Sequence, residues 1–134
     1  MQLRQSNRAL YFKELAQTSE EYFVPYVSSF KEITEGTNVL EIGCGEGGIL
    51  LPFAKRGCRT VGVDLSEKKI EDARAFFAES GVVCELIASD IFKIERFRNT
   101  FDIIICHDVI EHITDKVSFM RSLVDFLSPD GVVF

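Results

Sequence analysis

The chain has no tryptophan, no Cys-x-x-Cys pair, no internal repeat and no apolar run near the length of a membrane span. The missing tryptophan removes the usual fluorescence reporter of ligand binding. Without paired spacings, Cys44, Cys58, Cys84 and Cys106 do not describe a zinc knuckle. They read as reduced thiols, and the expected setting is cytoplasmic. No apolar h-region opens the chain, so neither a targeting segment nor a membrane contact is expected. Basic residues are in the minority, 15 against 21 acidic ones for a net charge of -6. That balance argues against a broad nucleic-acid face, though a local basic patch stays open. No G-x-x-x-x-G-K-[ST] is present, which excludes a P-loop nucleotide site. What remains is a 134-residue chain, 46% apolar and 27% charged, enough for one domain with a real core.

One stretch organises it. Val39-Leu40-Glu41-Ile42 is an apolar strand running into Gly43-Cys44-Gly45-Glu46-Gly47-Gly48, and an apolar helix is expected from about Gly47, carrying Ile49, Leu50, Leu51, Phe53 and Ala54. Glycine permits positive φ and close approach of a ligand to the backbone. Residues 1–35 are expected to form a separate helical segment. Thr18 and Glu21 suggest a capping box that breaks it in two. Its aromatics, Tyr22 and Tyr26 among them, are read mainly as packing and secondarily as a lid that touches substrate.

After the glycine turn, strands and helices alternate. Thr60 to Asp64 is a second strand, and Ser66 caps the helix that places Ile70, Ala73 and Phe77 on one face. Val82 to Ile87 is a third strand, followed by Ser89-Asp90. Phe101 to Cys106 is a fourth, apolar on both sides, as a buried parallel strand must be. Val117, Met120, Leu123, Val124 and Leu127 mark the next helix face, Ser128-Pro129-Asp130-Gly131 a turn, and Val132 the start of a fifth strand. This order predicts an α/β fold, a Rossmann-like doubly wound parallel sheet with helices on both faces and an N-terminal helical extension. In such sheets ligands bind beyond the carboxyl ends of the strands, where the glycine turn, Asp64, Asp90 and residues 106–108 all fall.

The glycine spacing, with Asp64 about 20 residues on, also satisfies the dinucleotide fingerprint. Yet residues 37–54 hold no Lys or Arg and do hold Glu41 and Glu46. Two carboxylates beside the turn favour a cationic ligand over a pyrophosphate. S-adenosylmethionine, with a sulfonium, an ammonium and no phosphate, suits those charges.

Glu41-Ile42-Gly43-Cys44-Gly45-Glu46-Gly47 resembles motif I of the class I S-adenosylmethionine-dependent methyltransferases. Val61-Gly62-Val63-Asp64-Leu65-Ser66, Ser89-Asp90-Ile91 and Phe101-Asp102-Ile103-Ile104-Ile105-Cys106 resemble the motifs of their next three strands, in order. Asp108-Val109-Ile110-Glu111-His112 resembles the E-x-x-E-H stretch of ubiquinone-biosynthesis-type members. The resemblance implies that residues 36–134 are an S-adenosylmethionine-binding domain. It implies that Gly43, Cys44, Gly45 and Gly47 shape the turn around the methionine part, with Glu41 supporting it. Asp64 would hold the ribose, Leu65 and Ile91 the adenine, and Asp90 its amino group. Cys106 and His107 would line the rim near the methionine part. The family sheet has seven strands, so the domain is expected to lack its C-terminal strands, with a missing segment or a partner chain completing the sheet.

Methyl transfer needs positioning, and a base only if the acceptor must lose a proton. His107 is the candidate base. Asp108, Glu111 and His112 are spaced to share a helical face and so to ligate a divalent metal. That arrangement would suit a metal-assisted RNA 2′-O-methyltransferase. The favoured reading keeps no metal and treats these as helix-start acids. The expected activity is methyl transfer to a small-molecule acceptor, with RNA or protein acceptors open. The alternatives are a non-catalytic cofactor-binding module and an NAD-dependent oxidoreductase.

Overall fold

The computed structural model describes residues 7–107, 109 and 112–134. Helix α1 (Arg8–Thr18) runs unbroken through a π-helical turn, Ser19–Phe23, into α2 (Val24–Ser28). The expected capping box does not form. Thr18 keeps helical angles, φ −60° and ψ −43°, and Glu21 accepts from Gln17 Nε2 at 3.0 Å instead. The helical path ends at Ser28 rather than near residue 35.

Five strands follow: β1 (Asn38–Ile42), β2 (Arg59–Asp64), β3 (Glu85–Ala88), β4 (Phe101–Ile105) and β5 (Leu127–Val133). They form one sheet in the order β3-β2-β1-β4-β5, and every neighbouring pair is parallel. Parallel neighbours need crossovers, and these are α3 (Leu51–Lys55), α4 (Glu67–Ser80), a pair of 3₁₀ turns (Ile91–Lys93 and Glu95–Phe97) and α5 (Lys116–Val124). The order reverses between β1 and β4, so the rim above those two strands is the place for a ligand.

The strand period of two divides the core into layers. Val39, Ile103 and Ile105 face the side covered by α1, α3 and α4, where Phe12, Phe53, Ile70 and Phe77 are buried. Leu40 and Ile104 face the other side, in a cluster with Ile91, Phe97, Phe101, Leu123 and Phe126. α4 has the ends its sequence predicts: Ser66 Oγ accepts from Lys69 N at 3.2 Å, and Gly81 closes it at φ +70°.

Three elements differ from expectation. α3 begins at Leu51 and has one and a half turns, because the chain from Gly47 first makes tight turns that bond Leu50 N to the Gly47 carbonyl. β3 begins at Glu85, not Val82. α5 turns Leu123 inward, with Phe119 half-buried beside it, and leaves Val117, Met120 and Val124 exposed. The segment carries apolar residues on two stripes, and the packing against Phe92 and Phe126 buries the one with Phe119 and Leu123. Asp115 caps the helix by accepting from Ser118 N (3.0 Å) and Ser118 Oγ (2.8 Å). Residues 128–131 lie inside β5 as a bulge, since β4 advances from Phe101 to Ile103 while β5 advances from Leu127 to Val132.

Candidate functional site

The glycine turn is bound to the end of β2. Gly43 N and Cys44 N both donate to the Val63 carbonyl, at 2.8 and 3.0 Å. Gly45 N donates to Asp64 Oδ2 at 2.9 Å, and Ser66 N to Asp64 Oδ1 at 2.9 Å. Each oxygen of Asp64 thus takes one backbone donor and keeps a lone pair for a ligand hydroxyl. Gly43, Gly45 and Gly47 all have positive φ, +68°, +55° and +86°. A Cβ on Gly43 would lie 2.3 Å from a Val109 methyl, and one on Gly47 2.7 Å from the Phe77 ring. Glycine is therefore required at both positions by conformation and by space.

Beyond the strand ends lies a cavity of about 330 Å³, of ligand-site size. Gly43, Asp64, Leu65, Asp90 and Ile91 line it, which brings together five of the residues read from sequence. Leu65 is 80% exposed and Ile91 2%, so the cavity has an open apolar side and a buried one. Asp90 caps the first 3₁₀ turn by accepting from Phe92 N at 3.0 Å. Glu41, Cys44, Gly45, Gly47 and Cys106 do not line this cavity. Glu41 is buried within β1, and the Cys44 side chain points to Gly62, where a Cβ would lie 2.8 Å from its sulfur. Sequence reasoning missed Phe92 and Phe119, whose rings meet edge-on at 5.8 Å and close the far wall. The signal for Phe119 was the second apolar stripe of α5, and for Phe92 only its place beside Asp90-Ile91.

His107 belongs to a different space. With Leu15, Thr18, Ser19, Tyr22, Phe23, Tyr26 and Ile49 it lines a second cavity of about 310 Å³ between the N-terminal helical path and the rim. Its ring stands edge-on to Phe23, with centroids 6.2 Å apart. Phe12, Ala16, Val24 and Val27 of that path are buried in the core, while Tyr22, Tyr26 and Phe30 stay exposed.

The charge reading needs one correction. Glu46 carries a partner the local sequence did not show, for its carboxylate pairs with the Arg8 guanidinium at the start of α1. Its charge is therefore not available to a cationic ligand. The four thiols are free and held protonated. Burial first, then the Glu41 carboxylate, raises Cys106 to about 12 and, more strongly, Cys44. Burial also raises Cys84 to about 12 and lifts Cys58. Thiols so held are neither nucleophiles nor ready metal ligands. Asp108 and Glu111 of the alternative metal triad lie outside the described residues. His112 is exposed, its N–H donating to the Val109 carbonyl. Among the described residues no cluster of His, Cys, Asp and Glu is placed to hold a metal ion, and no helix is long and apolar enough to cross a membrane.

The first cavity fits S-adenosylmethionine on its own chemistry. It offers two carboxylates to hydroxyl and amino donors, apolar faces to a base and, among the described residues, no Lys or Arg to a phosphate. Comparison with known proteins agrees. A family model described as a methyltransferase domain matches residues 33–134. The ubiquinone biosynthesis O-methyltransferase of Rickettsia canadensis is 30% identical over 112 residues, 84% of this chain and 47% of that protein. A protein of the same name from Rhizobium etli is 37% identical over 100 residues, covering 75% and 40%. The chain thus spans less than half the length of these curated relatives. Among solved structures, PKMT2 from Rickettsia typhi in complex with AdoHcy superposes with a TM-score of 0.70 at 28% identity, covering 81% of this chain and 23% of that one. YcgJ from Bacillus subtilis superposes with a TM-score of 0.71 at 26% identity, covering 81% and 47%. An oxidoreductase reading does not survive this, and the chain belongs to the class I S-adenosylmethionine-dependent methyltransferase family.

Proposed function

We propose that this chain is the cofactor-binding part of an enzyme that moves a methyl group from S-adenosylmethionine to a hydroxyl of a small, uncharged, largely apolar acceptor seated in the aromatic cavity. When bound, S-adenosylmethionine supplies a sulfonium methyl group to a nucleophile in line with it. In this reading Asp64 receives the ribose hydroxyls, Asp90 the adenine amino group, and Leu65 and Ile91 flank the base. Gly43, Cys44, Gly45 and Gly47, backed by Glu41 and beside Cys106, shape the turn toward the methionine end. A buried apolar surround keeps water from the reacting groups.

The observation that carries the acceptor class is the lining of the second cavity: aromatic rings, aliphatic side chains and hydroxyls, with His107 as the one titratable group besides the tyrosines among the described residues. Among the described residues no Lys, Arg, Asp or Glu lines it, which supports an acceptor that needs no counter-charge. His107 stands two residues beyond the end of β4, and in this reading it takes the proton of the acceptor hydroxyl. The name of the curated relatives, ubiquinone biosynthesis O-methyltransferase, supports an oxygen acceptor of small-molecule type. We place the protein in the cytoplasm, in keeping with four free cysteines.

The test is transfer of labelled methyl from S-adenosylmethionine to three matched arenes: a neutral catechol, its carboxylate analogue and its aminomethyl analogue. Turnover is expected with the neutral catechol, falling by about 10²-fold in His107→Ala while S-adenosylhomocysteine binding is retained. Equal turnover of the charged analogues would overturn the acceptor class. Cofactor binding without turnover of any arene would favour the non-catalytic reading.

A further inference from the structure

The glycine turn holds its shape only weakly by itself, since left-handed glycines stand on both sides of Glu46. On one flank it is bonded to the end of β2. On the other it meets the N-terminal helical path at three successive places. Arg8 pairs with Glu46 across 38 residues of sequence. Leu15 lies against Gly48, where a Cβ would come within 2.9 Å of the Leu15 Cβ. Ser19, 1% exposed, donates its hydroxyl to the Ile49 carbonyl at 2.8 Å. Leu15, Ser19 and Ile49 also line the aromatic cavity. One set of contacts therefore pins the turn and builds a wall of the second cavity. Of these contacts only the Arg8–Glu46 pair carries charge; the Glu46 side chain is 9% exposed and the Arg8 side chain 36%, so the pair is buried at one end and open to solvent at the other.

We propose that the Arg8–Glu46 ion pair is a latch that holds the cofactor turn and the aromatic cavity in one arrangement, making Arg8 and Glu46 positioning residues for both ligands. The proposal rests on the rim being the cofactor site. With the pair intact, Gly45 N stays aimed at Asp64 and the helical path stays seated on Gly48. With it broken, the turn regains the freedom of its glycines, and the cofactor must reorder it on binding.

The experiment is calorimetric titration of S-adenosylhomocysteine into the chain and into Arg8→Ala, Glu46→Gln and the exchanged pair Arg8→Glu with Glu46→Arg. Amide hydrogen exchange is measured on the same four proteins without ligand. Each single variant is expected to bind about 5- to 20-fold more weakly, with the exchanged pair recovering most of the loss. Amides 45–49 and 19–26 are expected to exchange faster together in both single variants, while those of α4 do not change. Unaltered binding and exchange in the single variants overturn the latch. So does an exchanged pair as weak as either single variant. Weakening in Arg8→Ala but not Glu46→Gln also overturns it, since Arg8 would then contact the ligand itself. If the unaltered chain binds no S-adenosylhomocysteine, the cofactor reading fails, and the exchange data alone decide the latch.

Discussion

Asp64 receives a backbone N–H on each carboxylate oxygen, one from the glycine turn and one from the approach to α4. That pairing fixes its plane before any ligand arrives, and it explains why an acid at the end of β2 was legible from sequence alone. Asparagine there keeps the shape but turns one oxygen into an N–H₂ group. That group faces either Gly45 N or Ser66 N, donor against donor. Asp64→Asn is therefore expected to weaken S-adenosylhomocysteine by about 10- to 100-fold, the range for a lost hydrogen bond to a charged group. The melting temperature should fall modestly, because one backbone N–H loses its acceptor at a partly open site. Affinity equal to that of the unaltered chain, measured by calorimetry, would remove Asp64 from the ribose role.

At the scale of elements, β5 is the clearest case of local sequence bending to tertiary demand. Ser128-Pro129-Asp130-Gly131 reads as a turn, and the chain does depart from the ladder there, yet it stays within the strand. Ser128 Oγ donates to Asp102 Oδ1 at 2.8 Å, and Lys31 Nζ to the Asp130 carbonyl at 2.8 Å. A Cβ on Gly131 would stand 2.6 Å from the Phe101 carbonyl oxygen and 2.7 Å from Leu127 Cδ2. Gly131→Ala should therefore push β5 off β4 and cost about 1–3 kcal/mol in chemical denaturation, as overpacking does. Unchanged stability would mean that the bulge relaxes freely. The same comparison shows what sequence carries. The buried parallel strands were legible as apolar runs ended by glycine or acid, and with them the rim. The inward face of α5 was not, because two apolar stripes compete and only tertiary packing decides between them. Nor was the Arg8–Glu46 pair, since an ion pair between distant residues exists only once the helical path is docked. The second cavity was hidden for that reason too, for its wall joins Tyr22 and Tyr26 to Ile49 and His107.

For the molecule as a whole, the thiols connect the fold to pH. Cys84 and Cys106 are raised to about 12 from 9.0, chiefly by burial. Cys44 moves the same way, with Glu41 and Asp64 adding to the effect of burial. An acid whose folded pKa is raised holds its proton in the native state while the unfolded chain releases it. The folded state then binds more protons above the unfolded value, and stability falls as pH rises. The contribution of these thiols is thus complete below about pH 9 and is lost progressively between about pH 9 and 12. Tyrosines and lysines titrate in the same window, so the slope alone does not identify the thiols. A comparison does. Cys84 is partly buried at the start of β3 and faces no ligand cavity, so Cys84→Ala removes one raised thiol without touching the rim. Denaturation near pH 8 and near pH 10.5 should show a smaller loss of stability in Cys84→Ala than in the unaltered chain. Equal losses would mean that Cys84 titrates normally in the folded protein and that its surroundings admit water.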